Sequence, residues 1–159
     1  RFLLNPFDDP VTFSAGFFWL GLYNGAFKAV MRRDIVAGGP LLIRPTPSLR
    51  HSERAWLFGY SLLGEFAFSP EASMIKRYWS GSLTDSWTSE SSDMIDTAQV
   101  MVGYVDDFVK CKNLREKLRF NLFLNAVQRA NWQDGLIVDK PHFEHLCQRP
   151  IITGDSGRI

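Results

Sequence analysis

The sequence predicts an all-α protein: a single compact helical bundle of five or six helices around a central apolar helix at about residues 10–34. Apolar residues recur every three or four positions along most of the chain, which is the period of an α-helix. Proline after a capping residue marks several helix starts. With 159 residues, 45% of them hydrophobic, the chain can bury one core. Since no repeat or change of composition marks a boundary, we expect one helical domain over residues 1–149 and a flexible tail over residues 150–159.

The central helix is predicted from its start signal and from its lack of charge. Asp9 is placed to cap the helix, and Pro10 occupies the first helical position, where its missing N–H is not needed. Between Val11 and Met31, Lys28 is the one formally charged residue. A helix that is apolar all round is expected to be buried on every side.

A membrane-spanning helix is the alternative interpretation of the same segment. Residues 13–31 are about long enough to cross a bilayer, and Gly21 and Gly25 form a GxxxG match. Asn24 and Lys28 lie within the segment, and the other helices are amphipathic and need a partner for their apolar faces. Burial inside the bundle is therefore favoured over insertion in a membrane.

Two further helices are predicted before residue 80. Thr46-Pro47 starts the first, in which Gly59 and Gly64 are interior positions. Its expected buried face consists of Leu49, Trp56, Tyr60, Leu63 and Ala67. Ser69-Pro70 starts a shorter helix that ends near Trp79. The serine- and threonine-rich residues 80–92 then predict a surface loop that carries Trp87.

The second half of the chain predicts two long helices and a short one. Asp93 is the expected cap of a helix whose buried positions are Met94, Ala98, Met101, Val105 and Phe108. A helix over residues 113–131 is expected to bury Phe120, Leu122, Phe123, Leu124, Ala126, Val127 and Ala130. Its expected solvent-facing residues are Asn121, Asn125, Gln128 and Arg129. Pro141 opens the last helix, which runs through Gln148.

Two short motifs match catalytic patterns but lack the setting that the chemistry needs. Tyr104-Val105-Asp106-Asp107 is the pattern found at the metal centre of reverse transcriptases, where the aspartates lie at the turn of a β-hairpin. Here the surrounding period is helical, so Asp106 is expected on the solvent side with Lys110 as its partner one turn later. Ser156 lies in a Gly-Asp-Ser-Gly string without a scaffold after it, so we interpret that match as chance.

One cluster contains residue types that bind metals. His142 and His145 can share a helical face, Cys147 follows closely, and Cys111 could supply a fourth ligand to zinc. The spacing fits no common zinc signature, so no cofactor is expected and zinc remains an alternative. Cys111 also lies between two lysines, which favours a reactive thiol. A small apolar side chain at a helix end is the preferred interpretation.

Composition favours a protein-binding role. A formal charge of +1 gives no overall field for nucleic acid, so none is expected as a partner, and two cysteines suit a reducing, cytoplasmic setting. The favoured function is a non-enzymatic module of the adaptor, chaperone or inhibitor type that binds another protein. Its expected contact residues are Trp87, Arg50, Arg54 and Trp79. The alternatives are a membrane-associated subunit that inserts residues 13–31 and a small metal-dependent enzyme.

Overall fold

The structure, a computed structural model, describes residues 9–20, 42–64 and 90–136 of the chain, and most of these residues are helical. Within those ranges there is no strand. The helices are α1 (Pro10–Ala15), α2 (Ser52–Leu63), α3 (Ser92–Phe108) and α4 (Lys112–Gln133). The all-α prediction is therefore confirmed for this part of the chain. The short helices predicted near residues 70–79 and 141–148, and the tail over 150–159, lie outside the described residues.

The start of α1 is as predicted. The side chain of Asp9 accepts a hydrogen bond of 3.0 Å from the amide of Thr12, and Pro10 is the first helical residue. The helix continues into one wider turn of π-helix, Gly16–Leu20. Every residue from Thr12 to Phe18 is buried, so this part of the predicted central helix has no solvent face. None of the helices in the described ranges is both long and apolar enough to cross a membrane, and residues 21–34 lie outside those ranges.

The start predicted for α2 was wrong by about one turn. Thr46-Pro47 opens a turn instead, in which Leu49 and His51 adopt left-handed backbone conformations with φ of 62° and 58°. The turn is closed by the amide of Thr46, which donates to the hydroxyl of Ser52 at 3.0 Å. Because left-handed residues cannot continue a right-handed helix, α2 begins only at Ser52.

The buried face predicted for α2 was only partly correct. Tyr60 is buried and Trp56 packs against the core, as predicted, and Ala67 lies outside the described residues. Leu49 is 69% exposed, and Leu63 at the end of the helix is exposed as well. The helix is instead buried along the whole stretch from Leu57 to Leu62, because it packs between α3 and the aromatic rings of the first helix. The ring of Phe58 lies 5.4 Å from that of Phe13 and 5.2 Å from that of Phe17. Gly64 ends the helix in an extended conformation rather than lying within it.

The buried face of α3 matches its prediction. Met94, Ala98, Met101 and Val105 are buried, and Phe108 is partly buried against the same core. The helix begins at Ser92, so Asp93 lies in its first turn rather than at the cap. Its carboxylate still serves the start of the helix, since it accepts a hydrogen bond of 2.9 Å from the amide of Glu90.

A link over residues 109–111 joins α3 to α4, and the two helices pack against each other. So short a link makes neighbouring helices antiparallel. Helix α1 packs on α4, and α2 packs on α3. Helix α4 thus lies at one side of the described core, with one face covered by α1 and α3.

Candidate functional site

Helix α4 has two apolar faces, and only one of them lies in the core. The buried face contains Leu118, Leu122, Ala126 and Ala130. The exposed face contains Phe120, Phe123, Leu124 and Val127. The prediction that both sets are buried was wrong for the exposed set. With 3.6 residues per turn, Phe120, Leu124 and Val127 point away from most of the buried set, and Phe123 lies at the border between the two sets, on the side that Ala130 occupies.

Two asparagines that were expected to face water are part of the buried face instead. Asn125 is 4% exposed, and its side-chain oxygen accepts a hydrogen bond of 3.0 Å from the indole N–H of Trp19. Its amide group donates to the carbonyl of Asn121, and the side chain of Asn121 donates to the carbonyl of Lys117, both at 2.8 Å. These bonds satisfy polar groups that would otherwise be costly to bury. The bond from Trp19 joins α4 to the first helix with the asparagines inside and Phe120 outside.

The exposed apolar face forms an open groove of about 420 Å³. Its lining consists of Glu116, Arg119, Phe120, Phe123, Leu124 and Val127. Phe120 is 67% exposed, which is unusual for so large an apolar side chain on a well-formed helix. A contiguous exposed patch of apolar side chains with a polar rim is typical of a surface that binds another protein.

An arginine at the edge of the groove is held in place by two carboxylates. The guanidinium of Arg119 lies 2.6 Å from Asp106 of α3 and 3.0 Å from Glu116. The hydrogen bond to Asp106 raises the pKa of Arg119 above its ordinary value. Lys110, the partner expected for Asp106, lies beyond the end of α3 at Phe108. Asp106 therefore fixes the position of a cation at the groove.

Other cations near the groove are unpaired within the described part of the chain. Lys112 and Lys117 are exposed, and neither makes an ion pair with a carboxylate of residues 9–20, 42–64 or 90–136. Over its whole length α4 carries five lysines and arginines and one glutamate. The N-terminal part of α4 is consequently basic.

Asp107 and Tyr104 tie the chain before α2 to α3. Asp107 forms an ion pair with Arg44, whose guanidinium lies 4.5 Å from the centre of the Tyr104 ring. The hydroxyl of Tyr104 accepts from the amide of Arg44 at 3.0 Å and donates to the carbonyl of Leu42 at 2.8 Å. The helical placement predicted for Asp106 and Asp107 is confirmed, and each carboxylate binds a different arginine.

The two arginines predicted to contact a partner lie at the start of α2. Arg50 lies 3.1 Å from Asp93 and 3.9 Å from Glu90, so its charge is satisfied within the chain. Arg54 is half-buried, with one guanidinium nitrogen 4.0 Å from the sulfur of Met94. The other two predicted contact residues, Trp79 and Trp87, lie outside the described residues.

The predicted metal ligands and the serine motif cannot be placed. His142, His145, Cys147 and Ser156 all lie outside the described residues. Cys111 is exposed immediately before α4. Within residues 9–20, 42–64 and 90–136, no three histidine, cysteine, aspartate or glutamate side chains are grouped so that they could hold a metal ion.

Comparison of this chain with protein-family models, with curated proteins and with solved structures finds no match.

The exposed groove of α4 was not predicted from the sequence, although the spacing of apolar residues along α4 indicates it. Leu118, Leu122, Ala126 and Ala130 recur every four residues and account for one complete buried face. The other apolar side chains of α4 are therefore more than one buried face can hold, which indicates a second, exposed apolar surface.

Proposed function

We propose that this protein is a non-enzymatic protein-binding module whose α4 groove takes an acidic amphipathic helix of a partner protein. The observation that supports it most is the exposed set Phe120, Phe123, Leu124 and Val127, on a helix whose opposite face lies in the core. A helix fixed along one side offers the other as a preformed surface. Such a surface loses little conformational freedom when a partner binds.

The spacing of the exposed side chains suits a helical ligand. Phe120, Phe123, Leu124 and Val127 follow the three- and four-residue intervals of one helix face. A partner helix with apolar residues at the same intervals can interdigitate with them, as in other helix-in-groove complexes. Full burial of a side chain such as Phe120 stabilises a complex by about 1.5–3 kcal/mol, which makes it the main expected contact.

The charge of α4 favours an acidic partner over a second copy of this chain. Lys112 and Lys117 lie near the groove without an ion pair in the described ranges, so carboxylates of a partner would meet them directly. A second copy would present its own Lys112 and Lys117, and the one glutamate of α4, Glu116, is already paired with Arg119. Like charges at an interface oppose association, whereas opposite charges accelerate it and fix its orientation.

Arg119 gives the groove a point of polar recognition. Its guanidinium is already fixed by Asp106 and Glu116, so its position costs little entropy when a partner arrives. A partner carboxylate beside Phe120 can share this arginine. Arginine and aromatic side chains at the centre of an interface are the residues that most often dominate binding energy.

Several expectations from the sequence belong to the same proposal. The whole chain would form a five- or six-helix bundle over residues 1–149 in the cytoplasm. Trp79 and the loop that carries Trp87 would add further contacts with the partner. These residues lie outside the described ranges, so the groove alone carries the argument.

The proposal is tested with two synthetic helical peptides of one apolar pattern, flanked by glutamates in one and by lysines in the other. Fluorescence anisotropy should show that the glutamate peptide binds the full chain more tightly, with an affinity that decreases as salt is added. Phe120→Gln should weaken its binding by at least about tenfold, the loss expected for a central interface residue. Leu63→Gln, at an exposed leucine of α2, is the matched control and should not change binding.

Three results would contradict the proposal. One is equal binding of the glutamate and lysine peptides, and another is unchanged binding by Phe120→Gln. The third is sedimentation of the wild-type chain as a dimer that Phe120→Gln converts to a monomer, since a second copy would then occupy the groove. Because Phe120 is largely exposed, its replacement is expected to leave the fold intact.

A further inference from the structure

The exposed side of α4 changes in charge from one end of the helix to the other. Lys112 and Lys117 are exposed, and both come before Phe120, the first apolar residue that lines the groove. Beyond Val127, the last residue that lines the groove, Asp134 is exposed at the C-cap of the helix. In the direction of the chain, this side is therefore first basic, then apolar and finally acidic.

Two arginines of α4 do not alter this order, because they lie on the other side of the helix. At about 100° per residue, Arg115 is turned by about 140° and Arg129 by about 180° from Phe120 around the helix axis. Arg129 was expected to face water, but it is partly buried. Its guanidinium lies 4.1 Å from the ring centre of Trp132 and 5.4 Å from that of Trp19. It adds no positive charge to the C-terminal end of the groove.

The positive charge before the groove comes from the two lysines. Arg119 is already paired with Asp106 and Glu116. No carboxylate in the described part of the chain lies within ion-pair distance of Lys112 or Lys117. The first turn of α4 also contains no acidic residue, although the helix macrodipole favours one there and disfavours a cation such as Lys112. The helix itself therefore gains no stability from this lysine.

The two ends of this side are far enough apart to act separately. With a rise of 1.5 Å per residue, Lys117 and Asp134 are about 26 Å apart along the helix axis. Exposed charges are screened over about 8 Å at physiological salt. A carboxylate of a bound partner is thus attracted at the lysine end and repelled at the Asp134 end. The surface can distinguish one end of a bound helix from the other.

We propose that these charges set the direction in which the partner helix binds. The acidic residues of the partner lie at one end of its apolar face, over Lys112 and Lys117, and its apolar residues lie over the groove. This inference rests on the proposed function and adds to it where each end of the partner lies. A partner with acidic residues at its N-terminal end then binds parallel to α4, and one with acidic residues at its C-terminal end binds antiparallel. Interaction between the helix macrodipoles would instead favour antiparallel binding of both.

The test uses two synthetic helical peptides of the same apolar pattern and composition. One carries its glutamates at the N-terminal end only, and the other at the C-terminal end only. Cys111 is exposed immediately before α4, so a nitroxide spin label attached there, in the full chain with Cys147→Ser, marks the lysine end of the surface. Nuclear magnetic resonance of the labelled peptides should show loss of signal at the glutamate end of each one. Peptides with glutamine in place of glutamate are the control and should show no preference that follows the substituted end.

Charge reversal of the surface should reverse the direction of binding. In the variant Lys112→Glu/Lys117→Glu/Asp134→Lys, the end of each peptide without glutamates should lose its signal instead. The variant is expected to fold, because glutamate in the first turn and lysine at the C-terminus both suit the macrodipole. Asp134→Lys alone gives both ends a cation and should weaken the preference.

The inference is overturned if the same terminus of both peptides lies beside Cys111, since backbone direction would then set the orientation. It is also overturned if both ends lose signal equally, or if the triple variant keeps the direction of the wild type. These results leave the proposed function intact, because the peptides are still bound. If fluorescence anisotropy shows that neither peptide binds, the proposed function is contradicted and this inference with it.

Discussion

Arg50 lies 3.1 Å from Asp93, a carboxylate whose side chain is 2% exposed, and so connects the start of α2 to the start of α3. Burial by itself raises the pKa of Asp93. Hydrogen bonds from Ser48, from the amide of Glu90 and from Arg50, with the charge of Arg50, outweigh burial and hold that pKa below its ordinary value of 3.8. The ion pair therefore favours the folded state wherever Asp93 is ionised.

Replacement of Asp93 by asparagine should destabilise the protein by about 2–3 kcal/mol, because it removes the charge that Arg50 faces at a buried position. Urea unfolding at pH 7 measures the change. Asp106→Asn, which breaks the exposed pair with Arg119, should cause a much smaller loss of stability, because solvent screens that pair. Equal losses in the two variants would show that burial does not set the strength of these pairs.

Stability should decrease between pH 6.5 and about 4 because of His51. Burial and then the charge of Arg54 lower its pKa from 6.5 to about 4, with smaller effects from Arg50 and Arg129, while Asp93 acts in the opposite direction. The unfolded chain therefore takes up a proton before the folded chain does, and stability is complete only above about pH 6.5. His51→Asn should remove this decrease, as followed by urea unfolding at several pH values.

Asparagine suits this control because it tolerates the left-handed backbone of residue 51, with φ of 58°. Asp93 contributes to the pH dependence of stability in a different, lower pH range. Because its folded pKa is lowered, its stabilisation is present above pH 3.8 and is lost below that value. An unchanged slope above pH 4 in the His51→Asn variant would contradict the assignment to His51.

Tyr104→Phe should lower the free energy of unfolding by about 1–2 kcal/mol, because it leaves the amide of Arg44 and the carbonyl of Leu42 without their shared partner. Amide hydrogen exchange at Arg44 should become faster. Tyr60→Phe is the matched control, since the buried hydroxyl of Tyr60 has no hydrogen-bond partner within the described part of the chain. That change should be neutral or stabilising, and a loss as large as that of Tyr104→Phe would contradict the prediction.

Leu49→Gly should stabilise the protein by about 1 kcal/mol. Leu49 has φ of 62°, a conformation that costs an L-residue energy and glycine almost none, and its exposed side chain leaves little packing to lose. Leu63→Gly should have the opposite effect, because that leucine lies in a helix. Thermal unfolding of both variants measures these changes. A lower Tm for Leu49→Gly would show that losing the leucine side chain costs more stability than glycine gains at the left-handed backbone position.

The buried face of α3 could be predicted from the spacing of its hydrophobic residues alone. Met94, Ala98, Met101 and Val105 are the apolar residues on one side of that helix, and the opposite side is polar, so there was one way to bury it. The start of α1 could also be predicted from the sequence, because the Asp9 cap and Pro10 act within a single turn of the helix. Local chemistry and periodicity are sufficient in both places.

The start of α2 and the buried face of α4 could not be predicted without the tertiary structure. Along α4, apolar residues cover more of the circumference than one buried face can hold, and hydrophobicity alone does not decide which of them are buried. The hydrogen bond between Trp19 and Asn125, which joins residues far apart in the chain, accompanies the choice of the face with the asparagines. In α2, the left-handed residues Leu49 and His51 delay a helix that Pro47 would otherwise start.

The sequence by itself determined the helical class, the start of α1 and the buried face of α3, because these depend on interactions between residues at most a few turns apart. Tertiary packing decided which side of α4 stays exposed. That outcome depends on contacts between distant residues. The α4 groove depends on such contacts: the number of apolar residues along α4 indicates a second apolar surface, but it does not decide which one is exposed.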